Sequence, residues 1–216
     1  EGDRWLVLHL MIAGRLQWNE VGAPLRGVRA SRVNRGSNAE RFGEPSLPRN
    51  ALATFFFTGG ALTLTEAGTK HRAALHVVDG EAGLAAHDRG GIDALGATTP
   101  DFAAALTREN HTLKRALTDP QLFSGIGNAY SDEILHAAKL SPVTLTQKLS
   151  PAEIARLHAA VRTVLQAWTE RLRRETGEGF PGKVTAFRPE MAVHGKFGQP
   201  CPVCGTTVQR IRYAEN

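Results

Sequence analysis

The 216-residue sequence predicts an α+β chain, strand-rich before Pro100 and helical after it. Three observations predict this. Ala51-Leu-Ala-Thr-Phe-Phe-Phe57 and Leu62-Thr-Leu-Thr-Glu66 flank Thr58-Gly59-Gly60-Ala61, a hairpin signal with Gly-Gly at the turn. Beyond Pro100, apolar residues recur at the three- and four-residue spacing of helices. Gly90-Gly91 and the stretch from Gly96 to Pro100 separate the two regimes and read as the linker between domains.

In chain order, Trp5 to Ile12 reads as a strand, being rich in bulky apolar side chains. Residues 19 to 50 are rich in Gly, Pro, Ser and Asn and read as a long loop. Arg26, Arg29, Arg32 and Arg35 recur within it, either as a solvated face or as an arm that touches phosphates. The hairpin follows, then a strand over Leu75 to Val78. Helices are predicted from Asp101 to Leu106, Leu113 to Leu122 and Asn128 to Lys139. Ser150-Pro-Ala-Glu153 is a helix start, with Ser at the cap, Pro in the first position and Glu three residues on. The helix it opens carries Ile154, Leu157, Val161, Val164, Leu165 and Trp168 on one face and runs to Arg174, before Gly177 and Gly179.

Composition bounds the function. A hydrophobic content of 42% supports a packed core and excludes global disorder. The net charge is +5, and the excess lies in the second half: residues 101 to 216 hold 15 Lys/Arg against 11 Asp/Glu, residues 1 to 100 hold 11 against 10. A basic second half suits a polyanion. Two cysteines are too few for a disulfide framework. Leu6 to Gly14 is too short to span a bilayer and lacks the flanks of a signal peptide, so a cytoplasmic protein without a membrane partner is expected.

The most informative stretch is Asp119 to Pro142, a helix, a glycine turn and a second helix. Gly125 and Gly127 flank Ile126 and open backbone paths closed to residues with a β-carbon. Asn128 stands where the second helix begins and is a preferred N-cap residue. Asp132, Glu133, Ile134, Leu135 and Ala138 follow at helical spacing. A helix N-terminus behind glycines presents free N–H groups and the positive end of the dipole, which together form an anion site.

The string Leu122-Phe-Ser-Gly-Ile-Gly-Asn-Ala-Tyr-Ser-Asp-Glu133 closely resembles the helix–two-turns–helix signature of the formamidopyrimidine-DNA glycosylase and endonuclease VIII family of base-excision repair enzymes. The resemblance runs from Trp5 to Asn216. It implies a β-sandwich domain over residues 1–97, a helix–two-turns–helix DNA-binding domain over 98–178, and a lesion loop with the first half of a β-hairpin zinc finger over 179–216. It implies that Lys114 and Asn128 face the DNA backbone near the lesion, beside Gly125 and Gly127. Tyr130 is either a further phosphate contact or hairpin packing. His9-Leu-Met-Ile-Ala-Gly-Arg15 is similar to the segment that fills the gap left by a flipped base, with Ile12 at the filler's position and Met11 beside it. The family's Arg-x-Phe turn has no Phe counterpart in Thr69-Lys70-His71-Arg72-Ala73. Phe180 to Met191 resembles the loop that covers the flipped base.

Cys201-Pro-Val-Cys204-Gly205 carries two thiolates at the spacing of a zinc site, of which a tetrahedral ion needs four, and His194 is the nearest other candidate ligand. The resemblance makes Cys201 and Cys204 two of four cysteines around a structural Zn²⁺. The family's nucleophile is an N-terminal proline followed by a glutamate, and the chain, starting at Glu1-Gly2, is expected to begin inside the N-terminal domain. No catalytic residue is therefore assigned. The activity implied is a DNA glycosylase with abasic-site lyase activity, acting as a monomer on duplex DNA with damaged bases or abasic sites, nucleoid-associated if bacterial. The competing readings are a non-catalytic damaged-DNA-binding module and a thiol or zinc protein built on Cys201 and Cys204.

Overall fold

The structure is a computed structural model that describes residues 3–11, 13–20, 48–67, 71–181 and 185–211. The chain divides into two compact units, Glu1–His87 with Thr176–Val184, and Asp88–Glu175 with Thr185–Asn216.

The first unit is built of strands. β1 (Arg4–His9) pairs antiparallel with β5 (Ala74–Asp79), with Val7 opposite His76 and His9 opposite Ala74. β2 (Gly14–Glu20), β4 (Gly60–Glu66) and β3 (Ala51–Phe57) form a three-stranded antiparallel sheet in that order. The β3–β4 hairpin lies where the sequence predicts it, with Thr58-Gly59 as its two-residue turn. β4 is the central strand, and polar pairs hold its register. Thr54 and Thr63 share a hydroxyl hydrogen bond of 3.2 Å, and Thr65 Oγ1 donates to the Arg15 carbonyl at 3.4 Å. The Glu66 carboxylate is buried and accepts from Arg72 N–H at 2.9 Å and Ala73 N–H at 3.1 Å, with His71 Nδ1 at 3.6 Å.

Two elements here have no counterpart in the sequence reading. β2 carries only Leu16 and Trp18 as large apolar residues, and its end was absorbed into the loop predicted from residue 19. The short helix α1 (Gly80–Ala85) contains two glycines and no apolar period. Ile12, Arg26, Arg29, Arg32, Arg35, Thr69 and Lys70 lie outside the described residues.

The second unit is helical: α2 (Thr99–Thr107), α3 (Leu113–Thr118), α4 (Asn128–Ala138) and α5 (Pro151–Thr176). Phe102, Leu106, Leu113, Leu117, Leu122, Phe123, Ile134, Leu157 and Val161 are nearly or fully buried in one core. The Phe102 ring sits 4.7 Å from Phe123 and stacks on His158 at 4.8 Å. The capping box at Ser150 forms as predicted. Ser150 N–H and Oγ–H both donate to Glu153 at 2.8 Å, and Glu153 N–H returns to Ser150 Oγ at 3.3 Å.

Two sequence expectations change. α3 ends at Thr118 rather than Leu122, because Pro120 forces Asp119 into extended backbone (φ −81°, ψ 114°) and Asp119 Oδ1 accepts from Gln121 N–H at 2.9 Å. The stretch read as a linker also carries structure: β6 (Ile92–Asp93) pairs in parallel with β7 (Phe123–Ser124), inside the helical unit.

Candidate nucleic-acid interface

The glycine turn is shaped as the spacing suggested at one position and differently at the other. Gly125 adopts φ +88°, which a side chain would strain. Gly127 is extended (φ −101°, ψ 176°), a conformation open to any residue. Gly127, not Asn128, is the N-cap of α4, and no side chain caps this end. Asn128 is the first helical residue because Gly127 O already accepts from Ser131 N–H at 3.0 Å. Between the glycines, Ile126 is buried and anchors the turn to the core.

The two helix starts of the hairpin differ. At α3, Leu113 N–H donates to Thr144 O at 2.8 Å and Lys114 N–H to Pro142 O at 3.0 Å, so the loop after α4 closes that end. At α4, no acceptor from elsewhere in the described residues reaches the first-turn N–H groups of Asn128, Ala129 and Tyr130, and no acidic residue sits in that turn. Ser124, Gly125, Gly127 and Asn128 are exposed around it. The arrangement leaves an accessible, electropositive helix terminus able to take an anionic oxygen.

Lys114 stands beside this terminus. Its ammonium donates to Asn128 O at 2.6 Å, Ser131 Oγ at 2.8 Å and Asp132 Oδ1. These acceptors use all three N–H bonds, so a phosphate at Lys114 would share the ammonium with Asp132 or displace it. The second Asp132 oxygen lies 2.8 Å from His194 Nδ1, and the His194 ring stacks on Phe187 at 5.4 Å. Next along the helix, the buried Glu133 carboxylate accepts from the N–H groups of Ala192, Val193 and His194 at 2.8–2.9 Å. Asp132 and Glu133 thus fasten residues 192–194 to α4. The sequence showed these two acids only as members of a helical face, because their partners lie about sixty residues away. The Tyr130 ring packs against the core and meets the Trp168 ring at a steep angle, with centroids 5.9 Å apart. Burial raises its phenol pKa, and the charge of Arg188 partly opposes that.

Residues 198–208 form a tight hairpin. Gly198 N–H donates to Val208 O at 3.0 Å, Val208 N–H to Gln199 O at 2.9 Å, and Cys201 N–H to Thr206 O at 2.8 Å. Cys201-Pro-Val-Cys204 makes its tip, and Gly205 at φ +73° turns the chain back. Val203 N–H points at Cys201 Sγ at 3.4 Å. Cys201 is buried and Cys204 exposed. Hydrogen bonds from the Thr206 hydroxyl and N–H, then from Cys201, hold the Cys204 thiol below its ordinary pKa. The imidazole nearest Cys201 is His136, with Nε2 3.2 Å from the sulfur; His194 is taken by Asp132. A metal thiolate pair fits this loop, and the chain contains no third cysteine.

Residues 93–176 match the formamidopyrimidine-DNA glycosylase H2TH domain. A formamidopyrimidine-DNA glycosylase-like protein of Mycobacterium tuberculosis is 42% identical over 125 residues, covering 58% of this chain and 77% of that one. The formamidopyrimidine-DNA glycosylase of Symbiobacterium thermophilum is 38% identical over 124 residues, covering 54% of this chain and only 39% of its own length. In structure, the chain is similar to the Lactococcus lactis protein solved with DNA containing an abasic site, with a TM-score of 0.72 and 21% identity, over 99% of this chain and 72% of that one. Strand sheets followed by an H2TH helical domain, and sequence identity extending over most of the mycobacterial protein, lead to one conclusion: the chain belongs to the formamidopyrimidine-DNA glycosylase family.

Proposed function

We propose that this chain is the DNA-engaging body of a base-excision repair enzyme, a DNA glycosylase with abasic-site lyase activity that acts on duplex DNA with damaged bases or abasic sites. The observation that carries the reading is the open N-terminus of α4, flanked by exposed Gly125, Gly127 and Asn128, in a family whose Lactococcus lactis member has been solved on abasic-site DNA. In this reading the terminus holds a backbone phosphate near the lesion, and Asn128 donates to it. Lys114 orders the terminus through Asn128 O and lends it positive charge. Tyr130 supports the hairpin from behind. The strand sheets belong to a β-sandwich domain, and the glycine turn and its helices belong to the helix–two-turns–helix domain. The protein works as a monomer among the cell's DNA, in the cytoplasm.

Covalent chemistry in this reading comes from an N-terminal proline whose secondary amine attacks the sugar C1′ and forms a Schiff base, with the glutamate after it moving protons. Lys114, beside the α4 terminus, is ill-suited to that attack, because its N–H bonds are already given to Asn128 O, Ser131 Oγ and Asp132 Oδ1. Cys201 and Cys204 supply two of four ligands to a structural Zn²⁺, with His136 donating to the Cys201 thiolate. The zinc would fix the hairpin tip for DNA contact.

Borohydride trapping on a duplex with one abasic site tests the activity. The 216-residue chain is run beside a form carrying the family's Pro-Glu strand ahead of Glu1. An adduct with the extended form alone supports the proline Schiff base. An adduct with the short chain moves the nucleophile to an amine within it. Binding without any adduct leaves a non-catalytic damaged-DNA-binding module, and no binding overturns the reading.

A further inference from the structure

We propose that His9, His76 and His87 form a divalent transition-metal site in the strand unit, of the chemistry that takes Zn²⁺, separate from the Cys201–Cys204 hairpin. The topology builds the cluster from three distant stretches. β1 and β5 are antiparallel, with His9 opposite Ala74 and Val7 opposite His76. His9 and His76 are therefore diagonal neighbours on one face, since Ala74 and His76 share it. Gly80 at φ +67° turns the chain sharply at the end of β5, and α1 packs back against β1 and β5. His87 N–H closes the end of this helix on Leu84 O at 3.0 Å and brings the third ring alongside the other two.

The rings then meet pairwise. Centroids are 5.7 Å apart for His9 and His76, 5.9 Å for His9 and His87, and 4.7 Å for His76 and His87. One ring nitrogen of each lies within 4.8 Å of the others. Four-coordinate zinc with bonds of about 2.0–2.1 Å holds its ligand nitrogens about 3.4 Å apart, so modest rotation of the rings closes the site. Imidazole is the side chain best suited to Zn²⁺, Co²⁺, Ni²⁺ and Cu²⁺, and three of them leave a fourth position for water.

An alternative is that the three rings only pack on one another as surface side chains. Against it, no ring nitrogen of the trio has a protein hydrogen-bond partner among the described residues, while one ring nitrogen in each of His111, His136, His158 and His194 finds one. Three half-exposed or exposed imidazoles with unused donors and acceptors turned toward a common point lack only a shared ligand. A bound ion would tie β1, β5 and the segment after α1 together. That matters in this unit, where Ala61 and Leu64 are the only buried apolar side chains among the described residues. Metal affinity would then appear directly as folding stability.

The test uses the full 216-residue chain with Cys201→Ser and Cys204→Ser, which removes the thiolates from the count. It is titrated with Zn²⁺ by calorimetry and with Co²⁺ by visible absorption. The site predicts one saturable equivalent, cobalt d–d bands without a sulfur charge-transfer band, and a rise in melting temperature with Zn²⁺. His76→Asn, at an exposed position, should weaken binding by more than the about 10–100-fold typical of losing an outer-shell partner. His9→Asn and His87→Asn should do the same, and His111→Asn should leave binding unchanged. No saturable equivalent in the thiolate-free chain overturns the proposal. So does binding that survives all three single substitutions. Should a variant unfold, the two others and the stoichiometry of the thiolate-free parent still decide the matter.

Discussion

In the helical unit, sixteen buried apolar residues from α2, α3, α4, α5, the turns between them and the segment before α2 make one continuous core. In the strand unit, Trp5, Leu6, Leu52, Phe56, Phe57, Leu75 and Val77 are all exposed, and the interior of β4 is mostly polar, with Thr63, Thr65 and Glu66 buried. One unit is held by apolar burial, which is non-directional and large in sum. The other is held by register, by threonine hydroxyl hydrogen bonds and by a carboxylate that gathers backbone N–H groups. Both units use that last device: Glu66 fastens residues 72–73 to β4, and Glu133 fastens 192–194 to α4. The difference is that Glu133 does so at the edge of a closed core, whereas Glu66 lies among polar neighbours.

The largest expected effect separates the units by burial. Phe102→Ala should cost the helical unit about 3–5 kcal/mol in urea denaturation. Leu6→Ala, at an exposed position on β1, should change stability by no more than about 0.5 kcal/mol. Comparable losses at both sites would break the contrast. Next in size, Glu133→Gln removes the charge that three amides share and should cost about 1.5–3 kcal/mol. Amide exchange at Ala192, Val193 and His194 should speed up while the α2 and α5 core amides keep their protection. Uniform loss across the helical unit would mean the carboxylate supports the core and not the segment. Ser150→Ala breaks the capping box of α5 and should cost about 1 kcal/mol, the smallest of these changes.

Acid should also separate the units. Burial, then the charge of Arg162, lowers the pKa of His158 below its ordinary 6.5. The unfolded chain therefore takes up this proton first, and the helical unit loses stability as pH falls from 6.5 toward the lowered value. Amides of Arg72 and Ala73, with His71, outweigh burial and lower the pKa of Glu66 below its ordinary 4.5. Its contribution is present above 4.5 and is lost only as pH falls through the lowered value. Residue-resolved exchange between pH 7 and pH 4 should show the core of the helical unit loosening first, with His158→Phe removing part of that slope. A strand unit that loosens at higher pH than the helical one would contradict both assignments.

What the sequence made legible follows the range of the interactions. The hairpin over residues 51–66, the capping box at Ser150 and the apolar face of α5 depend on neighbours a few residues apart, and all are read directly. The glycine turn was legible as a motif but not in detail, since Gly125 needs its left-handed backbone and Gly127 caps a helix without needing one. Asp132 and Glu133 take their roles from residues near 192, and the histidine trio from a strand register plus a six-residue helix. No local pattern encodes either. β2 was missed because its alternation carries only two large apolar side chains.

The most direct test of the central reading is fluorescence anisotropy of the chain with a duplex carrying one abasic-site analogue, beside the undamaged duplex, over a range of salt. The open terminus of α4 predicts tighter binding to the abasic duplex and an affinity that falls steeply and log-linearly with salt. It also predicts weaker binding for Asn128→Ala. Equal, salt-insensitive affinity for the two duplexes, or no binding to either, would contradict it.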